Sequence, residues 1–254
     1  MWSSRHGIEV GIAVTAGALT AITRRAGGGE PDAVLVDGWP TQTIDPRDDD
    51  QITAAIRKVH RAVYSDVDSV VVTYPIAFSL ARIHRLRRTA TEAGWPDVRM
   101  AAIPVAVGIT HANTYNGHTA AVLDISAPRY EAAVLEPQPH ADWGHVAANI
   151  TAQEAQPTLE VVAVAAKAAD IPVTDLTHVL VIGEPSATRQ AASRLTTAGI
   201  AGAVAVSPVE LAGDGLVADE VITGGNPSRD TPVRRGWVWP RPLSSLACAA
   251  AAVA

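Results

Sequence analysis

Apolar positions along this chain switch between two spacings. Runs of consecutive or alternating apolar residues predict strands, and three- to four-residue steps predict helices. Ile8–Val14 and Ala18–Arg25 read as a hairpin around Thr15-Ala16-Gly17, with Gly27-Gly28-Gly29 as the next turn and Val34–Val36 as a short strand. Asp45-Pro46 and Asp48-Asp49-Asp50 predict a helix start, because carboxylates favour the positive end of the helix dipole. Ile52, Ile56 and Val59 give the helix Gln51–Ala62 one apolar face. Val70–Val72 predict a buried strand that ends at Thr73-Tyr74-Pro75. Leu80, Ile83, Leu86, Ala90 and Ala93 then form a helical stripe, with Arg82, Arg85, Arg87 and Arg88 largely off it. Gly94 suits the C-cap, the strand Val98–Ile103 follows, and Pro104 opens a helix of small residues.

The second part of the chain continues the alternation. Gly117–Leu135 reads as another hairpin, and Pro137–Gly144 as a loop. A long helix is expected from Thr151 through Leu159, Val162, Val164 and Ala168. Val179–Gly183 predicts a strand and Ala187–Ala198 a helix. Strands alternating with helices predict the α/β class.

Composition narrows the picture. The 254 residues suffice for a sizeable core, 48% are hydrophobic, and only 4% are aromatic, so alanine and valine must fill much of the interior. A net charge of −6 gives no global reason to expect nucleic-acid binding. The single Cys248 excludes an intrachain disulfide and a cysteine zinc cluster. His140, Asp142 and His145 fall in or beside the 137–144 loop and read as solvated rather than as metal ligands, and no nucleophile elbow is present. From Asp219 the texture changes. Residues 219–242 read as a linker rich in Pro, Gly and Arg, and 243–254 as the start of an apolar, transmembrane segment, the alternative being a short alanine helix docked on the domain. Arg234, Arg235 and Arg241 with Trp237 and Trp239 suit a membrane–water interface. Arginines on the N-terminal side of a span would leave the folded part cytoplasmic, anchored to the inner membrane.

The order Tyr74-Pro75, Ala93-Gly94-Trp95, Ala102-Ile103-Pro104 resembles the Hsp70 nucleotide-binding domain, a member of the actin-like ATPase superfamily. There, Val-Pro, Ala-Gly-Leu and Asn-Glu-Pro occur in that order. Gly11-Ile12-Ala13-Val14-Thr15-Ala16 is similar to the family's first phosphate turn, with Ala13 in place of its aspartate. Asp124 to Glu131 resembles the second, with Ser126-Ala127-Pro128 in place of three glycines and Glu131 in place of the closing aspartate. Gly183-Glu184-Pro185-Ser186-Ala187 resembles the adenosine element, and Ser207–Gly215 the last helix of the fold.

The resemblance implies an actin-like ATPase fold of the Hsp70 nucleotide-binding type, with two lobes at about 1–115 and 116–218 and without the inserted subdomains. It implies a remnant nucleotide cleft at Thr15, Gly17, Asp124, Ser126, Gly183 and Glu184, with the Glu184 charge facing the ligand. For Asp124 a turn-capping role is the alternative. Ala13, Ile103, Pro128 and Glu184 argue against hydrolysis, because phosphoryl transfer works by positioning and charge neutralisation. No catalytic residue, metal or cofactor is therefore expected. The chain is similar to the accessory proteins of type VII secretion in actinobacteria, which implies a pseudo-ATPase scaffold with a protein partner in secretion machinery. The alternative is an active Hsp70-like chaperone ATPase using ATP and magnesium.

Overall fold

The computed structural model describes residues 7–15, 17–26, 30–45, 48–63, 66–111, 118–126, 129–136, 145–153, 157–200 and 202–223. The Gly27-Gly28-Gly29 turn, Pro128, the 137–144 loop, and the linker and apolar segment beyond residue 223 lie outside them.

Two mixed sheets and six α-helices make up the described residues. The first sheet holds β1 (Ile8–Val14), β2 (Ala18–Arg25), β3 (Asp32–Ala33), β4 (Thr41–Thr43), β5 (Val67–Tyr74) and β6 (Val98–Ala102). Its order is β3-β2-β1-β5-β6, with β4 also on β2. The second holds β7 (Ala120–Asp124), β8 (Arg129–Glu136), β9 (His145–Gln153), β10 (His178–Ile182) and β11 (Gly202–Val206), in the order β11-β10-β7-β8-β9. Both sheets follow one plan. A hairpin opens each, a third strand extends it antiparallel, and two later strands join the other side in parallel. The helices repeat in step: α1 (Asp49–Ala62), α2 (Leu80–Glu92) and α3 (Ile103–Thr110), then α4 (Thr158–Ala168), α5 (Pro185–Thr197) and α6 (Pro208–Thr223). Pro104 and Pro208 sit at matching strand-to-helix junctions, where proline's fixed φ suits a first turn.

The last helix of each half reaches the other sheet. Helix α3 touches β7, β8 and β9, and α6 crosses β1, β2, β5 and β6 while packing on α3. Gly11 permits this, since a Cβ there would stand 2.2 Å from the Ala212 carbonyl oxygen. A Cβ on Gly215 would stand 2.6 Å from the Thr73 methyl group. One apolar core therefore runs from Ile12 and Val72 through Ile103 and Leu211 to Leu180 and Ile182. A second cluster, including Leu123, Val162 and Leu195, fills the far side of the second sheet.

Several expectations need correction. No helix begins at Thr151. Residues 145–153 form β9, in which Ala148 is buried while Asn149 and Thr151 are exposed, and α4 begins at Thr158. The helix buries Val161, Val162, Ala165 and Ala166, leaving Leu159 and Val164 exposed. Leu80 is exposed on α2 and Thr89 takes its place in the buried stripe. Val34–Val36 is not a strand; the pairing falls at Asp32–Ala33 and at a Val36–Trp39 bridge. Helix α5 starts two residues earlier than expected, at Pro185. Helix α6 continues to Thr223, past the boundary drawn at 218 and into the expected linker. Gly94 follows the α2 C-cap with φ +102°, as its position suggested.

Candidate functional site

The C-terminal end of β7 delivers Asp124 into the space between the two halves. Its direct cross-strand partner on β8 is Glu131. Neighbouring side chains in such a register share one face of the sheet, so two carboxylates are held side by side. Ile76, in the turn after β5, and Ile103-Pro104, at the start of α3, line the other walls, with Val122, Ala132 and Ala133. The space holds about 10 Å³, room for at most one water, and is partly open to solvent.

Asp124 is only 4% exposed. Its Oδ1 accepts from the Ser126 backbone N–H at 2.9 Å and from the Ser126 hydroxyl. Its Oδ2 has no hydrogen-bond partner among the described residues. Burial pushes the Asp124 carboxyl up to about 6, against the two Ser126 bonds that favour its charge. Glu131 is pushed up to about 7, by burial first and by the Asp124 charge second. Its Oε2 accepts from the Ala77 backbone N–H at 3.4 Å, so this carboxylate joins β8 to the loop after β5. The register sets two carboxylates with raised pKa side by side, so near neutral pH the pair favours holding a proton over carrying two charges.

The other expected residues are placed as follows. Gly183 has φ +152°, and a Cβ there would meet Ile125 Cγ1 at 3.0 Å, so it lies against the Asp124–Ser126 turn. Thr15 is fully buried, and its hydroxyl closes its own hairpin by donating to the Ala18 carbonyl and accepting from the Ala18 N–H, both at 3.2 Å. The Gly17 carbonyl accepts from the Ile44 N–H, which ties that turn to the segment after β4. Glu184 is the N-cap of α5. Its Oε2 accepts from the Ser186 and Ala187 N–H groups and from the Ser186 hydroxyl, and these bonds hold its carboxyl below the usual range. The Glu184 charge is directed onto the helix end. Asp124, Ser126 and Gly183 are thus brought together, while Thr15, Gly17 and Glu184 are spent on their own turns.

The described residues of this space do not fit a magnesium–triphosphate. Ala13 and Ile103 are buried and apolar, at 0% and 2% exposure. The two carboxylates oppose an anion and fill a space the size of a water. Among the described residues no group of three or more His, Cys, Asp or Glu side chains could hold a metal ion.

Two features escaped the sequence reading. The backbone amides of Ile76 and Ala77, which face Glu131, carry no side-chain signature. His111 at the C-cap of α3 lies with Nε2 3.4 Å from Oδ2 of Asp214 on α6, linking the two crossing helices. The Asp214 carboxylate raises the His111 pKa, while burial raises that of Asp214. Only the placement of Asp214 between two glycines of an apolar helix could have drawn attention to it.

No protein-family model matches this chain, and a search of characterised proteins gives no match.

Proposed function

We propose that this protein is a degenerate, Hsp70-like member of the actin-like ATPase superfamily, acting as a pseudo-ATPase scaffold at the inner face of a membrane. The observation that carries this reading is the space between the halves. It lies where the resemblance would place phosphates, yet it is about 10 Å³, walled by Ile76, Ile103 and Pro104 and occupied by the Asp124–Glu131 pair. The shared strand plan of the two halves supports the superfamily assignment. A protein of this kind works through its surfaces, and its partner is a protein, by resemblance a component of type VII secretion machinery. The apolar 243–254 segment with the arginines and tryptophans before it supplies the membrane attachment.

The test is binding and turnover. A ligand that binds only the native state stabilises it by about 2.7 kcal/mol at a hundred times its dissociation constant. At this chain length each kcal/mol raises Tm by about 2–4 °C. Millimolar Mg-ATP is expected to leave Tm unchanged and to release phosphate no faster than in buffer. A clear upward shift that Asp124→Ala abolishes would overturn the scaffold reading in favour of an active chaperone ATPase.

A further inference from the structure

The outer layer of the first half is unlike the rest of the chain in charge. Helices α1 and α2 together carry Arg57, Lys58, Arg61, Arg82, Arg85, Arg87 and Arg88 against Asp49, Asp50 and Glu92, seven cations to three carboxylates. That is a net +4, so with −6 overall the remainder carries −10. The two helices lie side by side and run the same way. Asp49 pairs with Arg82 and Arg85 at one end, and His60 packs edge-on against Trp95 at the other. Arg88 pairs with Glu92. Arg57, Arg61 and Arg87 are exposed and have no carboxylate within 4.0 Å among the described residues.

Beside α1 stands a short hairpin. Asp37 and Gly38, at φ 54° and 84°, form its two-residue turn, and Val36 and Trp39 pair across it. The turn projects into open space, since nothing lies within 4 Å of a Cβ built on Gly38. Trp39 is 70% exposed and Leu35 58%, two of the few large apolar side chains left in solvent. Lys58 donates to Asp37 Oδ2 at 2.9 Å and fixes the hairpin against the cationic flank of α1.

We infer that this face, α1 with the Trp39 hairpin at its edge, docks on an anionic lipid surface. Tryptophan and leucine on a projecting turn suit the headgroup boundary, where an indole buries its ring and keeps its N–H wet. Unpaired arginines beside it suit anionic headgroups. The charge asymmetry orients the contact: residues 229–254, read above as membrane attachment, carry +3, so the rest of the chain outside α1 and α2 carries −13 and is repelled by such a surface. The inference rests on the membrane-associated reading above and adds the side of the domain that faces the bilayer.

The experiment uses the full 254-residue chain with vesicles of phosphatidylcholine alone or with phosphatidylglycerol, at low and physiological salt. Arg57→Gln, Lys58→Gln and Arg61→Gln are combined in one variant. Arg189→Gln and Arg194→Gln on α5 form the control, and thermal unfolding checks that both fold. Wild type is expected to favour the anionic vesicles, and the α1 variant to lose that preference by on the order of a hundredfold at low salt. The control is expected to keep it. Brominated lipid should quench wild type more than Trp39→Phe. Equal binding to both vesicle types, unchanged in the α1 variant, overturns this docking face and leaves attachment to the C-terminal segment. Absence of wild type from every vesicle overturns the membrane reading as well.

Discussion

In the first half the opening hairpin turns at Thr15; in the second it turns at Asp124. Thr15 directly follows the first strand of its sheet, Asp124 is the last residue of its own, and both are buried. Thr15 uses its hydroxyl as donor and acceptor within the same turn and leaves nothing unpaired. Asp124 is half satisfied by Ser126, its other oxygen is buried without a hydrogen-bond partner among the described residues, and its cross-strand neighbour is Glu131. The same strand order thus carries a neutral closure in one half and a charged one in the other. Topology alone settles where a turn falls, and the side chain at its corner settles whether that turn responds to pH.

The largest effect should fall on what the halves share. Leu211 on α6 is fully buried in the core that runs through both sheets. Leu211→Ala should cost about 2–5 kcal/mol. It should move one cooperative transition, seen alike by circular dichroism and by fluorescence. Two separated transitions would mean that the halves fold independently and that the shared core contributes little.

Next comes the carboxylate pair. Glu131 has a folded pKa of about 7, above its ordinary 4.5. A raised pKa means that its favourable contribution is complete below pH 4.5 and is lost as pH rises through 7. Glu131→Gln should therefore be more stable than wild type at pH 8, by on the order of 2 kcal/mol, with the gap closing below pH 4.5. Chemical denaturation of both proteins from pH 4 to 8 reads this directly. A gap that stays constant across the range would place the effect in packing. In the first half, Thr15→Val should cost about 1–2 kcal/mol at every pH, because only neutral hydrogen bonds are lost. A pH-dependent cost there would erase the distinction between the two turns.

How far the sequence told these halves apart varies by element. The first hairpin, α1, β5 and β10 were legible, because long apolar runs and an Asp48 cap leave little choice of period. Strand β9 was missed over 145–150 and its end, Thr151–Gln153, was read as the start of a helix, because alanines at 148 and 152 weaken its alternation and Thr151 resembles a cap. Strand β11 went unseen for a similar reason: Gly202–Val206 is short and half exposed at the sheet edge. Leu80 misled because a helical stripe on paper does not show where the neighbouring layer ends. In the candidate site, Asp124 and Ser126 were read as neighbours at a turn, and Glu131 was noted only as a substitute. Their shared pocket was hidden because three of its eight lining residues, Ile76, Ile103 and Pro104, come from elements far away in sequence.

The smallest effect concerns helix caps, where the two halves each use a carboxylate. Asp48 caps α1 through Oδ1 to the N–H groups of Asp50 and Gln51, and Glu184 caps α5 in the same way with a longer side chain. Both carboxyls are held below their ordinary range, led by the Gln51 N–H for Asp48 and the Ser186 hydroxyl for Glu184. A lowered pKa means a contribution present above the unfolded value and lost as pH falls through the folded one. Glu184→Ala should therefore lower Tm slightly at pH 7 and match wild type in strong acid, opposite in sign to the Glu131 variant. Glu184→Gly should differ little from it, since glycine is itself a tolerable cap. Because the Glu184 charge is turned onto α5, removing it should not create a site for adenosine. A Tm rise with ATP in Glu184→Gly, absent from wild type, would show that this one charge had been guarding an intact pocket, and the two halves would then have to be read as a working cleft rather than a closed one.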